Sequence, residues 1–180
     1  KPGAFAVCAL PLRSLWKARQ AKQLARAISA RVKHPAVVPL LEVDSANGYH
    51  YLVWDGGVGQ QPEAERLTDR VGAHGPMGPG EAAALLGHVA GALDACHATG
   101  TFHGAVTPLA VALQPGGLPL LLDLGAGALL AQNVADDESF FDTMSAAQAS
   151  ANVLTYAAPE LASDPQALGA AVDQYALGAV

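Results

Sequence analysis

Residues 97–124 constrain the fold of this chain more than any other stretch. A helical pattern ends at Gly100, a loop then carries His103, and two short apolar runs at 111–113 and 118–122 flank a Gln-Pro-Gly-Gly turn. Apolar runs of this length on either side of a Gly-rich turn predict a β-hairpin. Asp123 follows the second strand directly, and a carboxylate at that position suits metal binding or the capping of backbone N–H groups.

Hydrophobic periodicity predicts three further strands and three helices. The predicted strands are at 4–10, 37–43 and 49–54, and the predicted helices are at 14–33, 63–71 and 81–98. Asn47 and Gly48 lie between the second and third of these strands, which predicts a tight hairpin turn. In the last helix the positions spaced by three and four form one apolar stripe. These positions are Ala82, Leu85, Leu86, Val89, Leu93 and Cys96.

The composition limits the classes of protein that need to be considered. The chain has 180 residues, 51% of them hydrophobic, which is enough for one domain or a large part of one. The most apolar segment, 118–131, contains Pro119 and Asp123 and is too short to span a membrane. Cys8 and Cys96 lack metal-ligand spacing, and we interpret them as buried reduced thiols rather than a disulfide, which favours a cytoplasmic location. His88 and His97 are interpreted as packing or surface residues because no third ligand at zinc-site spacing accompanies them.

Charge is distributed unevenly along the chain. Eight of the ten basic residues precede Glu42, the first acidic residue, so the first 41 residues carry +8 and the remainder carries −14. Such asymmetry raises nucleic acid or an acidic membrane surface as a partner. A solvated basic helix on an acidic body explains it equally simply and is favoured here. We therefore do not favour nucleic acid as a partner, and we expect no membrane span in this segment.

The ordered motifs of the chain resemble those of the eukaryotic-type, bacterial-like Ser/Thr protein kinase family, in a degenerate form. Residues 103–110 resemble the catalytic loop, and Asp123-Leu124-Gly125 resembles the Asp-Phe-Gly motif. Residues 154–160 are close to Thr-x-x-Tyr-x-Ala-Pro-Glu, and residues 172–178 resemble the start of helix F, whose aspartate in the family holds the catalytic-loop backbone. The positions that carry the structural motifs are His103, Asp123, Gly125, Thr155, Pro159, Glu160 and Asp173.

The resemblance implies an α+β, bilobal protein-kinase-like fold that is incomplete at both ends. Residues 1–55 would form the remainder of the N-lobe, with strand 3, helix C and strands 4 and 5. Residues 56–80 would form the hinge and connecting loop. Residues 81–180 would form the C-lobe, with helix E, the equivalents of the catalytic loop and activation segment, and the start of helix F.

The resemblance also predicts a loss of catalysis, because uncharged residues stand where the family has charged or metal-binding ones. These positions are Cys8 for the strand lysine, Ala25 near the helix C glutamate, Ala105 for the catalytic base, Thr107 for the loop lysine and Ala110 for the asparagine that binds the second metal. We therefore predict a catalytically inactive pseudokinase, not an enzyme, that acts as a protein-binding or regulatory scaffold. No cofactor is expected, and Asp123 alone would bind Mg²⁺ weakly.

Two alternatives use ATP and Mg²⁺. In the first, the chain is a weak atypical Ser/Thr kinase in which Asp123 acts with Asp94 or Asp55. In the second, it is a nucleotide-binding sensor without phosphotransfer.

A further hypothesis concerns the acidic segment 136–142, which contains Phe140 and Phe141. It would dock against the basic helix of 13–33. The competing interpretation is a disordered, solvated loop.

Overall fold

The structure is a computed structural model that describes residues 5–11, 23, 28, 31–47, 49–55, 64–116, 118–124, 153–164 and 167–180. The strands in chain order are β1 (Phe5–Pro11), β2 (Leu40–Ala46), β3 (Tyr49–Asp55), β4 (Glu65–Arg66), β5 (Val111–Leu113) and β6 (Pro119–Leu121). The helices are α1 (Leu67–His74), α2 (Pro79–His97), α3 (Val153–Tyr156), α4 (Glu160–Ser163) and α5 (Ala170–Ala179), with a 3₁₀ turn at Pro108–Ala110. Within the predicted helix at 14–33, the described residues Gln23, Ile28 and Arg31 are helical.

The first sheet is antiparallel, in the order β1-β3-β2. Cys8 pairs with Leu52 across β1 and β3, and Ala46 pairs with Tyr49 across β2 and β3. The hairpin between β2 and β3 therefore turns directly after Ala46, where the sequence predicted it, and Asn47 belongs to the turn. Asn47 has a φ of 52°, the left-handed conformation that Asn tolerates better than most residues. The predicted strands at 4–10 and 49–54 are confirmed.

The predicted strand at 37–43 was wrong at its start, because its apolar run is divided between two sheets. β2 begins at Leu40, whereas Val37 forms an isolated parallel bridge with Leu121 of β6. The Val38 N–H donates to the Leu121 carbonyl at 2.9 Å, and the Leu121 N–H donates to the Ala36 carbonyl at 2.7 Å. An apolar run signals burial, but it does not tell which strand the backbone will pair with.

The second sheet has the order β4-β5-β6 and contains the predicted hairpin around residues 114–118. The helix predicted at 63–71 begins later, at Leu67, because Glu65 and Arg66 instead pair with β5. That helix ends at His74, and Gly75 follows with a φ of 79°, donating its N–H to the Val71 carbonyl at 2.8 Å. A left-handed glycine after the last turn satisfies a carbonyl that the helix itself leaves unpaired.

Helix α2 is the centre of the larger core. Pro79 opens it at a position where the missing N–H costs nothing, and the helix runs to His97. The predicted apolar stripe is confirmed, since Leu85, Val89, Leu93 and Cys96 are buried and Leu86 is partly buried. Each fully buried Leu or Val side chain contributes about 1.5–3 kcal/mol relative to exposure. The stripe faces β6 and α5, so it fixes both elements that carry the residues of interest below.

Several sequence predictions fall on residues outside the described ones. These are Ala25, Gly125, the hinge residues 56–63, and the acidic segment 136–142 with Phe140 and Phe141. The division into 1–55, 56–80 and 81–180 stays a prediction. No helix in the described part of the chain is long and apolar enough to cross a membrane.

Candidate active site

Backbone N–H groups of the loop from Thr101 to Thr107 donate hydrogen bonds to one buried carboxylate. Asp173, in the first turn of α5, has only 1% of its surface exposed. Its Oδ2 accepts the His103 N–H at 2.8 Å, and its Oδ1 accepts the Gly104 N–H at 2.7 Å. Gly104 has a φ of 72°, so the chain turns sharply there. Hydrogen bonds to an ionised acceptor are roughly twice as strong as neutral ones, and these two fix the loop backbone.

His97 adds a third hydrogen bond to the same carboxylate. Its Nε2 lies 2.8 Å from Asp173 Oδ2, and its ring packs at a tilt against Phe102 with the ring centroids 5.6 Å apart. Since a carboxylate accepts, Nε2 is the donor. The sequence analysis missed this role and assigned His97 to packing or the surface. The available signal was its position in the last turn of α2, immediately before the loop.

His103 joins the loop to the strand that precedes Asp123. The side chain is fully buried, and its Nε2 lies 2.7 Å from the Leu122 carbonyl. Its Nδ1 accepts the Ala105 N–H at 3.3 Å. The two hydrogen bonds together assign the proton to Nε2, which donates to the carbonyl. His103 is therefore a structural link in this loop rather than a residue presented to a ligand.

Asp123 lies at the protein surface next to this loop. Its backbone has a φ of 60°, and its side chain is 31% exposed. The Arg66 Nη1 lies 3.7 Å from its Oδ2 and also donates a hydrogen bond to the Leu109 carbonyl. Partial burial raises the pKa of Asp123, and the neighbouring Arg66 guanidinium opposes that rise. Arg66 was not singled out from the sequence. It lies on β4, far from Asp123 along the chain, and only the pairing of β4 with β5 brings the two together.

Three of the other predicted positions, Ala105, Thr107 and Ala110, carry no charge. Ala105 is half-buried, whereas Thr107 and Ala110 are buried, at 5% and 2% exposed. Asp94 is exposed on α2, and Asp55 ends β3.

Asp123 can hold a metal only with help from a ligand. In the described part of the chain, no group of three or more His, Cys, Asp or Glu side chains forms a metal site. Mg²⁺ is commonly bound by one or two carboxylates together with substrate phosphates and water. A single accessible carboxylate fits a metal that arrives with a nucleotide, and it does not fit a resident metal held by protein alone.

Comparison with known proteins identifies the fold that this geometry belongs to. A sequence model of the family described as "Protein kinase domain" matches residues 9–180. The chain belongs to the protein kinase family. The two antiparallel sheets, α2 and α5 are thus parts of a protein kinase-like α+β fold.

The similar proteins are Ser/Thr protein kinases from plants and bacteria. CBL-interacting protein kinase 32 of Oryza sativa subsp. japonica is 29% identical over 166 residues, covering 91% of this chain and 35% of the relative. CBL-interacting serine/threonine-protein kinase 9 of Arabidopsis thaliana is 27% identical over 177 residues, covering 97% of this chain and 37% of the relative. Serine/threonine-protein kinase pkn2 of Myxococcus xanthus is 33% identical over 159 residues, covering 87% of this chain and 17% of the relative. The chain spans about a third of the length of the two plant relatives.

These comparisons contradict two predictions. The chain was predicted not to be an enzyme and to need no cofactor, whereas the family and the kinases it resembles point to a phosphotransferase that uses ATP and Mg²⁺. The sequence argument counted the charged groups that Cys8, Ala105, Thr107 and Ala110 fail to provide. The prediction did not consider Arg66, and it assumed that each missing charged group is indispensable for phosphoryl transfer. Phosphoryl transfer depends mainly on positioning and charge neutralisation, which several arrangements of residues can provide.

Proposed function

We propose that this chain is the catalytic part of an ATP- and Mg²⁺-dependent protein phosphotransferase of the Ser/Thr kinase family, with a low turnover rate. The observation that carries the proposal is the placement of Asp123, an accessible carboxylate two residues after β6 and beside a loop fixed by buried hydrogen bonds. The kinase relatives support it. Those relatives are much longer than this chain, so their whole activities come to it only by proposal.

In this proposal metal binding and loop positioning are carried out by separate residues, and a general base is missing. Asp123 would hold the metal that neutralises phosphate charge when the nucleotide is bound. Asp173, His97 and His103 keep the loop backbone in one conformation, so little ordering is needed when a substrate arrives. Ala105 offers no general base, and general acid–base catalysis typically contributes about 10²–10⁴-fold to a rate. We therefore expect turnover lower by about that factor than in a kinase that has the base.

A protein substrate is the acceptor that the surroundings favour. A shallow hollow lies between the loop and the α3–α4 segment, and its surface is mostly apolar. Its lining includes Thr107, Tyr156, Leu161, Val172 and Ala176. The hollow encloses only about 10 Å³, roughly the space of one water, so an acceptor peptide would lie across this apolar surface and would not insert a side chain into it. Thr155, exposed just before the hollow, and Pro159 and Glu160, which open α4, would form its rim.

Protein partners and a cytoplasmic location belong to the same proposal. Two plant relatives are named as CBL-interacting, which supports a regulatory protein partner for the longer protein. Cys96 is buried and unpaired, as expected in a reducing compartment. We also infer the bilobal arrangement of 1–55 and 81–180 about a hinge within 56–80, with nucleotide bound between them.

The test compares phosphate transfer by the wild-type chain and Asp123→Asn. Asn tolerates the left-handed backbone at this position and is a poor Mg²⁺ ligand, so the variant isolates the carboxylate. With γ-³²P-ATP, Mg²⁺ and a Ser/Thr-rich protein acceptor, we expect slow labelling by the wild type and none by the variant. Asp69→Asn, an exposed carboxylate on α1, is the matched control and should label like wild type.

Thermal denaturation gives a second readout. Mg·ATP should raise the melting temperature of the wild type by mass action and leave that of Asp123→Asn unchanged. If the wild type neither labels the acceptor nor gains stability from Mg·ATP, the proposed function is wrong.

A further inference from the structure

The cation beside Asp123 is held in place from two sides. Nη1 of Arg66 lies 3.7 Å from the carboxylate and also donates to the Leu109 carbonyl in the 3₁₀ turn. Arg66 itself is fixed by its position in β4, where it pairs with Ala112 of β5. A flexible side chain anchored at its backbone and at its tip loses little further freedom when a ligand binds.

The guanidinium is also open to a ligand. The Arg66 side chain is 40% exposed, and that of Asp123 is 31% exposed, so both are accessible to solvent. Both contacts use Nη1, and a guanidinium carries five N–H donors in a planar fork that matches phosphate. Cys8 and Thr107, which stand where the family has its two lysines, cannot supply a cation.

We propose that Arg66 binds a phosphate group of the nucleotide, a role that rests on the proposed function and specifies it. A lone carboxylate repels a polyphosphate and attracts only the metal. An arginine next to it offsets that repulsion and adds two directed donors for phosphate oxygens. The ligand class is a nucleoside polyphosphate with its divalent cation, and the site consists of Asp123 for the cation and Arg66 for the anion.

The same geometry also allows Arg66 to oppose metal binding at Asp123. Whether removal of Arg66 weakens or tightens Mg·ATP binding separates the two roles. If Arg66 only occupies the carboxylate, it competes with the metal, and its removal should tighten the binding of Mg·ATP. If Arg66 binds phosphate, its removal should weaken that binding. A ligand without phosphate should be insensitive in the second case.

The experiment measures dissociation constants of Mg·ATP and of adenosine by isothermal titration calorimetry. The variants are Arg66→Gln and Arg66→Lys. The control is Arg70→Gln, because Arg70 is an arginine on α1 that pairs with Glu81 at 3.6 Å, away from Asp123. We expect Arg66→Gln to weaken Mg·ATP binding about tenfold, the loss of one charge-assisted contact at a partly exposed site. Arg66→Lys should lose less, since it keeps the charge without the fork. Adenosine binding should be unchanged in all variants, and Arg70→Gln should match wild type.

Each other outcome overturns a definite statement. Unchanged or tighter Mg·ATP binding by Arg66→Gln refutes the phosphate role and leaves the proposed function standing. An equal loss of adenosine binding also refutes it, because the substitution then acts through the fold. If Arg66→Gln does not fold, Arg66→Lys provides the test. Mg·ATP binding by Arg66→Lys that equals wild type refutes a directed contact between the guanidinium and phosphate oxygens. A wild-type chain that binds no Mg·ATP overturns the inference and the proposed function together.

Discussion

Replacing Asp173 by Asn tests how much of the loop's rigidity depends on one carboxylate. The substitution keeps the size and shape of the side chain and exchanges one acceptor oxygen for an NH₂ group. In the native structure Oδ1 accepts from Gly104, and Oδ2 accepts from His103 and His97. In either orientation of the amide, at least one buried backbone N–H then faces an NH₂ group.

The magnitude follows from that count. A buried donor left without an acceptor costs about 1–3 kcal/mol, so Asp173→Asn should lower the free energy of unfolding by about that amount. The better orientation places the amide oxygen at the Oδ2 position, where it still accepts from His103 and His97. The hydrogen bond from the Gly104 N–H is then lost. Asp173→Ala removes both acceptors and should cost about 3–5 kcal/mol, the range for breaking a buried charged network. Small domains have about 5–15 kcal/mol in total, so the Ala variant approaches complete unfolding.

Urea denaturation followed by circular dichroism at 222 nm measures the effect. Asp94→Asn is the matched control, because this carboxylate is exposed on α2, and its change should stay within about 0.5 kcal/mol. A double-mutant cycle with His97→Ala should give a coupling of about 0.5–3 kcal/mol with Asp173→Asn, since the two side chains share a hydrogen bond. A midpoint for Asp173→Asn equal to that of wild type would refute the reasoning.

Three further predictions concern other parts of the structure. Burial, and secondarily the charge of Asp173, raises the pKa of the Cys96 thiol to about 11, so the native state holds this proton more tightly than the unfolded chain. The stability that results is complete below about pH 9 and is lost between about pH 9 and 11, by about 2–3 kcal/mol, and alkaline urea titrations of Cys96→Ala should lack that loss. The Trp54 indole N–H donates to the Leu124 carbonyl at 3.3 Å, so Trp54→Phe should lower the free energy of unfolding by about 1–3 kcal/mol, and a change below 0.5 kcal/mol would contradict the hydrogen bond. Asn47 has a left-handed backbone, so Asn47→Gly should keep the thermal melting temperature of wild type or raise it, whereas Asn47→Val should lower the free energy of unfolding by about 1–2 kcal/mol.

The sequence predicted the elements well where period and turn chemistry agreed. The stripe of α2, the Asn47-Gly48 turn and the hairpin before Asp123 all follow from local patterns, because the residues that decide them are neighbours in the chain. The start of β2 and the short β4 did not follow. Val37 pairs with Leu121, and Glu65 pairs with Leu113, so in both cases a distant strand determines the local conformation.

In the candidate site, too, the features set by neighbouring residues were predicted and those set by distant residues were not. Asp123 could be singled out from the motif around it. Its ion pair with Arg66 could not, and neither could the hydrogen bond from His97 to Asp173, which spans 76 residues. Residue spacing identifies positions that resemble a known motif, but it carries no information about cations or hydrogen-bond donors that arrive from other elements. The prediction of an inactive protein considered only the motif positions, and the match to the protein kinase family and its kinase relatives contradicts it.

The short bridge between Val37 and Leu121 has a mechanical consequence. Two backbone hydrogen bonds join residues 36–38 to β6, and the Trp54 side chain makes a third link to Leu124. Among the described residues, these three hydrogen bonds form a seam between the segments flanking the first sheet and the β6–Leu124 segment, which ends next to Asp123. Sliding or separation of the two sheets would break all three hydrogen bonds at once, so a rotation about this seam is the opening motion that costs least. The atoms nearest the seam then move least, so the distance between Trp54 and Asp123 should stay nearly constant while the far end of β1 makes the widest swing.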